Sequence, residues 1–334
     1  MVAGVGMWFD LLKKRGILGI NRRNAGFMLL VNPRKYYPLV DDKLLSKQLA
    51  IQRGIMVPEL YGVIRYHHEI RNVLTIAVSH DQFVVKPSRG SGGEGIVVIA
   101  GHGEGRFEKA SGETISSDDL MHYISGILSG LYSLGGQDDK ALIEYMVEVA
   151  PVFEKIAYRG VPDVRVIVYK GVPVISMVRL PTKESDGKAN LHQGAIGVGV
   201  DLSEGITLLG VHHDRVVSRH PDTNHPIEGI RIPYWDEILE IAALSHEMTD
   251  LGYIGVDVVI DREKGPMVLE FNARPGLSIQ IANQRGLFPR LMAVDAEKTE
   301  ELTLEERIHL GQFIAQPERS RGKIERTSHS AFPP

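Results

Sequence analysis

A chain of 334 residues is long enough for two or three subdomains around buried cores, and 43% hydrophobic with 24% charged content is that of a globular protein. A net charge of −4 gives no ground for nucleic acid as the main partner, and the lack of cysteine excludes disulfides, thiolate metal sites and a cysteine nucleophile. No apolar stretch reaches the length of a membrane span, and residues 1–16 place their basic residues after the apolar ones, the wrong order for a secretory signal, so a cytoplasmic protein is expected.

Residues 8–15 read as a helix in a locally basic segment that ends at Asn32-Pro33. A second helix is expected over 41–53, with Leu44, Leu45, Leu49 and Ile51 as apolar positions, Asp41 as N-cap and Gly54 as the stop. Residues 55–58 lead into a strand, and further strands are expected near 73–78, 82–86 and 96–100, followed by a helix near 117–133. Residues 142–148 form a strand that crosses toward a second lobe. A hairpin of 163–169 with 172–179 turns at Lys170-Gly171, and 183–199 is a polar, glycine-containing loop. Helices are expected over 235–251 and 300–313, and the Pro-, Ser- and Arg-rich tail from 316 reads as disordered.

Two segments carry chemistry. In 83–99 a strand ends at Lys86, a glycine-rich loop follows, and another strand begins at once. Gly90, Gly92 and Gly95 match G-x-G-x-x-G, but the dinucleotide fingerprint needs a helix after the loop, whereas 96–100 is a β-type apolar run. No Gly-Lys-Ser/Thr ending makes it a Walker loop. A glycine loop between antiparallel strands, here with Gly93 in addition, can fold over phosphates and offer them N–H groups, with Lys86 as a point charge.

The second segment, 256–276, reads as two strands around a polar turn. If Asp261 pairs with Pro266, Asp257 lies across from Glu270, with Asn272 on the same face as Glu270. Three hard oxygen ligands suit Mg²⁺ or Mn²⁺ shared with a nucleotide's phosphates. Taken singly, the first segment reads as a flexible turn and the second as a solvated acidic face; their joint presence at domain-scale separation favours a nucleotide site. The pairs His67-His68 and His212-His213 lack a partner at metal-ligand spacing and are not expected to bind metal.

The order of Asp42-Lys43, 54–58, Val84-Val85-Lys86-Pro87, 143–148, Asp163-Val164-Arg165, Asn190-Leu191-His192 and 270–276 resembles the ATP-grasp superfamily, and within it the RimK-type α-L-glutamate ligase-like branch, over about residues 41–285. The resemblance implies an α+β ATP-grasp fold: two α+β lobes clasping ATP, here 41–142 and 143–290, with a shortened segment 1–40 in place of a full preceding domain and a C-terminal helix in 291–315. It implies an ATP-dependent ligase that activates a carboxylate as an acylphosphate for attack by an amine. The carboxylate acceptor and an amino-acid or amine donor, such as glutamate, are then its partners. A phosphotransferase or a non-catalytic scaffold on the same fold is the alternative.

By the same resemblance Lys43 and Lys86 contact phosphates, and Glu144, Tyr145 and Val147 lie in the hinge that reads adenine. Asp163 matches an acidic position of the nucleotide site, with Glu148 or Glu154 as alternatives for the ribose. Lys188 and Asn190 face phosphate and substrate, while Asp257, Glu270 and Asn272 hold one or two metal ions. Arg179 and Arg274 offer planar donor forks, and His192 orients substrate, takes a proton or simply hydrogen-bonds within its loop. Two departures stand out. Asn-Ala-Arg-Pro-Gly replaces the Asn-x-Ser-Pro-Gly of the glutamate ligases, and an arginine there recurs in ATP-grasp branches associated with cell-surface sugar polymers. The segment 200–234, with Arg215, Arg219, His220 and Arg231, has no counterpart and is expected to complete the substrate pocket. Self-association is expected to cover the face left by the short N-terminus.

Overall fold

The computed structural model describes residues 14–316 except Ser91 and Leu134. Most of the helix expected over 8–15 and nearly all of the tail expected to be disordered lie outside the described residues. Two antiparallel sheets form the frame. The first has the order β1-β6-β2-β3-β4-β5, built from β1 (Leu60–Ile64), β2 (Phe83–Pro87), β3 (Val97–Gly103), β4 (Arg106–Lys109), β5 (Thr114–Ser116) and β6 (Ala141–Glu144). The second has the order β11-β10-β9-β8-β7-β12-β13. Its strands are β7 (Asp163–Tyr169), β8 (Val172–Leu180), β9 (Ile196–Asp201), β10 (Ile206–His212), β11 (Arg215–Val217), β12 (Tyr253–Asp261) and β13 (Gly265–Asn272).

Helix α1 (Lys43–Gln52) precedes the first sheet, and its N-cap is Asp42, not Asp41. Asp42 accepts from the N–H groups of Leu44 and Leu45 and from the Ser88 hydroxyl. Asp41 instead ends a short turn of helix, Pro38–Asp41. Burial opposes ionisation of Asp42, but the Ser88 hydrogen bond and Lys140 outweigh it and hold its carboxyl below the ordinary aspartate value of 3.8. A carboxyl lowered on folding stabilises fully above the unfolded value, and that contribution fades as pH falls through the folded one. Asp42→Ala should therefore cost about 1–2 kcal/mol by urea denaturation at pH 7. The difference from wild type should shrink on acidification below 3.8.

The run expected as a strand near 73–78 is helix α2 (Asn72–Ser79). Its β-branched residues favour a strand locally, but Val73 and Ala77, one helical turn apart, bury in the first-lobe core while Val78 is 85% exposed. Burial of one helical face has overridden propensity. Helix α3 (Ser117–Leu128) closes the same core with Leu120, Ile124 and Ile127.

The second sheet is covered on both faces. Val164, Val166, Val178, Val256 and Val258 meet Ile238 and Leu239 of α4 (Trp235–Thr249) on one side. Ile167, Tyr169, Met177 and Tyr253 meet Leu18, Phe27 and Leu291 on the other, the last from α5 (Phe288–Asp295). Helix α6 (Leu304–Ala315) packs on β8, with Gly311 against the Pro173 carbonyl, and starts four residues later than expected. The segment before α1 is thus part of the second lobe. Asn32 exchanges hydrogen bonds with the backbone of Tyr253, and Arg23 donates to the Pro275 carbonyl at 2.6 Å.

Candidate active site

Period-two alternation places Asp163 and Arg165 of β7, Arg179 of β8 and Asp257 of β12 on the same face as Ile167 and Tyr169. Register then sets their neighbours: Asp163 pairs with Arg179, Arg165 with Asp257, and Asp257 with Glu270 of β13. The Asp257–Glu270 pairing expected from the sequence is present, but by a different route. The turn pairs Asp261 with Gly265, one residue tighter than supposed, and a β-bulge beside Asp257 restores the alignment.

Asp257 is buried and already engaged. Arg165 grips both of its oxygens at 2.6 and 2.5 Å, and Arg179 adds a third contact at 2.7 Å. A carboxylate offers about four acceptor directions, so one remains for a metal ion. Burial alone would raise the Asp257 carboxyl; the two guanidinium groups overcome it and hold it at about 2. Arg179 also forks onto Asp163, whose carboxyl burial and the neighbouring Asp257 push above the usual range. The fork expected to meet substrate is therefore filled by two carboxylates. Arg165, absent from the expected site residues, is a partner of Asp257 that strand alternation and a correct register would have located.

The two lobes meet at Lys43, the first residue of α1. Its ammonium lies 3.4 Å from Glu270 and donates to the Gly90 carbonyl at 2.5 Å. One turn further on, Lys47 shares the same helix face. Lys47 and Lys86 both pair with the buried Glu144, Lys47 at 2.7 Å. The Glu144 side chain thus holds two lysines at the cleft rather than lying open to a nucleotide. Lys47 escaped the sequence reading, although its spacing from Lys43 was a usable signal. Burial is the main influence on Lys47 and lowers it to about 8 against the pull of Glu144.

Residues 145–148, the segment expected to act as the hinge, carry no regular secondary structure. Asp261 anchors it by accepting from the Tyr145 hydroxyl and the Glu148 N–H, both at 2.9 Å. The Lys264 ammonium sits 3.5 Å above the Tyr145 ring, and Val147 is half-buried between these anchors. Glu154, exposed on the short helix Pro151–Glu154, pairs with Arg262, which also lies 3.6 Å from Glu148.

From the second lobe, Asn190 reaches the glycine loop and donates to the Gly92 carbonyl at 3.2 Å. A Cβ on Gly93 would lie 3.8 Å from Lys188, so these two loop side chains do meet the glycine segment. His192 is exposed in a turn whose N–H bonds the Asn190 side chain. Asn272 accepts from the Arg274 N–H at 2.9 Å, and the Arg274 guanidinium is tethered by Asp41 at 2.8 Å and lies 4.8 Å from the Tyr37 ring centroid. In the glycine loop, Gly95 is buried with φ +73°, and a Cβ there would meet the Tyr132 ring at 2.6 Å. Gly95→Ala should cost about 2 kcal/mol or more from the left-handed backbone and the clash together, seen as a lower urea midpoint. Of the 200–234 residues, Arg219 and Arg231 are bonded to nearby carbonyls of Asn224 and Glu204, and His220 is buried against Pro181.

The chain belongs to the sugar-transfer associated ATP-grasp family, whose profile matches residues 22–296, and its two-sheet frame is the ATP-grasp fold. No curated protein matches the sequence. Among solved structures it is similar to the ATP-grasp ligase PsnB complexed with minimal precursor (14% identity, TM-score 0.44, 80% of this chain and 63% of that one). It is also similar to D-alanine–D-alanine ligase from Bacillus anthracis complexed with ATP (13%, TM-score 0.43, 86% and 69%) and to D-cycloserine synthetase DcsG (14%, TM-score 0.44, 82% and 74%). The chain thus spans less than two thirds of the length of PsnB. Among the described residues no helix is long and apolar enough to cross a membrane.

Proposed function

We propose that this protein is an ATP-dependent carboxylate–amine ligase working through an acylphosphate. The observation that carries the reading is the meeting of Lys43, the glycine loop at Gly90 and Glu270, with Asp257 directly across the strand pair from Glu270. The donor set of Asp257, Glu270 and Asn272 is hard oxygen throughout, and among the described residues each keeps an oxygen lone pair beyond its protein partners, so it fits Mg²⁺, or Mn²⁺, at one or two positions. Such an ion, when bound, neutralises charge along the triphosphate and the transferred group.

The chain's own groups do the rest. A substrate carboxylate oxygen attacks the γ-phosphorus and ADP leaves. The amine then attacks the acyl carbon, inorganic phosphate departs, and the nitrogen loses a proton. Lys43 and Lys86 approach the phosphates as point charges, with Lys86 fixed by Glu144. Arg274, steadied by Asp41 and Tyr37, turns its remaining donors toward the substrate carboxylate. Arg165 and Arg179 are positioning residues that keep Asp257 ionised and aimed. Lys188 and Asn190 close the second-lobe loop over the glycine segment, which excludes water from a hydrolysable acylphosphate. His192, exposed beside Asn190 in that loop, is in this reading the group that takes the amine proton or orients the substrate. Tyr145 and Val147 supply the adenine wall, with Asp163 structural and Glu154 at the rim. The family's association with sugar transfer favours a polymer over a peptide or protein as the acceptor, with an amino acid such as glutamate as the first amine to assay.

Product analysis separates this from the alternatives. The ligase should release ADP and inorganic phosphate only when carboxylate and amine are both present. Phosphate retained in a stable product would instead show a phosphotransferase, and nucleotide binding without turnover on any pair would show a scaffold.

A further inference from the structure

We propose that Glu184, His212 and His213 form a binding site for one Zn²⁺-type divalent transition-metal ion, and that the ion ties the 183–194 loop to the β10–β11 hairpin. His212 ends β10, His213 occupies the turn after it at φ +52°, and Glu184 comes from the loop that follows β8. The fold therefore supplies the partner that adjacent histidines lack in sequence. His213 Nε2 lies 3.0 Å and His212 Nε2 3.5 Å from the same Glu184 oxygen, and the three ligand atoms all fall within 4.8 Å of one another.

Bonds of about 2.0–2.1 Å in a tetrahedral zinc site put neighbouring ligand atoms roughly 3.3 Å apart. The two distances at Glu184 bracket that spacing and the two imidazole nitrogens lie within 4.8 Å of each other, so side-chain rotations alone bring all three onto one ion. The carboxylate is also held in place. The stem of Glu184 packs on Gly194, where a Cβ would come within 2.7 Å of it; the Gly194 carbonyl lies 3.1 Å from His212 Nε2, a hydrogen bond that the nitrogen exchanges for the ion. Upstream, the Lys183 N–H is bound by Asp222 at 2.8 Å. Two imidazoles and one carboxylate select Zn²⁺, Co²⁺ or Ni²⁺ over Mg²⁺, which sets this cluster apart chemically from the all-oxygen set at Asp257. Glu184 and His213 are exposed, which leaves the fourth position open to water. The same loop carries Lys188 and Asn190 against the glycine segment, so an ion at its base would fix the second-lobe side of the cleft.

The test uses the full chain after chelator treatment, without nucleotide. Titration with Co²⁺ should give a visible ligand-field band that saturates at one equivalent, is displaced by Zn²⁺ and is indifferent to millimolar Mg²⁺. His213→Ala and Glu184→Gln should each weaken Co²⁺ binding by at least about 100-fold, more than is lost with an outer-sphere partner. Both residues are exposed, so their metal-free melting should match wild type. Zn²⁺ should slow hydrogen exchange of 183–194 in wild type and not in His213→Ala. Equal Co²⁺ binding by wild type and both variants, or no saturable binding by wild type, would overturn the proposal and leave the cluster as a hydrogen-bonded histidine–glutamate group.

Discussion

Glu270→Ala should abolish turnover while leaving the fold intact. Glu270 sits where the two lobes touch, opposite Asp257 and beside the Lys43 ammonium, with its side chain 31% exposed. Among the described residues its one ion pair is with a lysine that has a second partner at Gly90, so removing it strands no buried charge. What is lost is the carboxylate proposed to hold the metal ion that neutralises phosphoryl charge. Loss of that electrostatic stabilisation puts the expected drop in rate at about 10³-fold or more. ADP release under saturating substrates, with a thermal melt of the same preparation, checks both halves. A melt within a degree or two of wild type together with normal turnover would remove Glu270 from the site.

Glu144→Ala should have the largest effect on stability. Glu144 is buried and takes ion pairs from Lys47 and Lys86. Breaking a buried pair from one side leaves an uncompensated charge and costs about 3–5 kcal/mol. Here two ammonium groups are stranded, so the upper end is expected by urea denaturation at pH 7. Burial raises the Glu144 carboxyl, but Lys86 and Lys47 together outweigh it and hold it below the ordinary glutamate value of 4.5. Its stabilising contribution is therefore complete above that value and is lost as pH falls through the folded one. The gap between wild type and Glu144→Ala should narrow accordingly on acidification. Lys86→Ala, by contrast, leaves Glu144 paired with Lys47, and should weaken nucleotide binding more than it weakens the fold. A Glu144→Ala loss below about 1 kcal/mol would mean that the lysines relax to solvent, and would contradict the buried cluster.

Much of this was legible in the sequence because motif spacing encodes strand register. Asp257 opposite Glu270 followed from two short strands and a polar turn, and the bulge that corrected a one-residue error in the turn left that pair unchanged. The hairpin turn at Lys170-Gly171 was equally plain, since both residues adopt positive φ. What the sequence hid were partners brought together by long loops. Arg165 and Arg179 take three of the acceptor directions of Asp257 from two other strands, and Asp41 reaches Arg274 across 233 residues. Asp41 was expected to cap α1, but the cap fell to its neighbour Asp42, whose side chain also meets Ser88. The strand expected at 73–78 failed for a different reason: its apolar residues serve a helix face once the first sheet exists to pack against.

Acylphosphate chemistry is the central claim, and hydroxylamine trapping tests it most directly. The protein with Mg-ATP would be offered pools of small carboxylates, amino acids and acidic or saccharide-linked peptides, with hydroxamates read out by mass. The account predicts an ATP-dependent hydroxamate that disappears in Glu270→Ala and identifies the carboxylate in the same spectrum. ADP production on an accepted substrate pair with no hydroxamate formed, and with the phosphate recovered in a stable product, would contradict it.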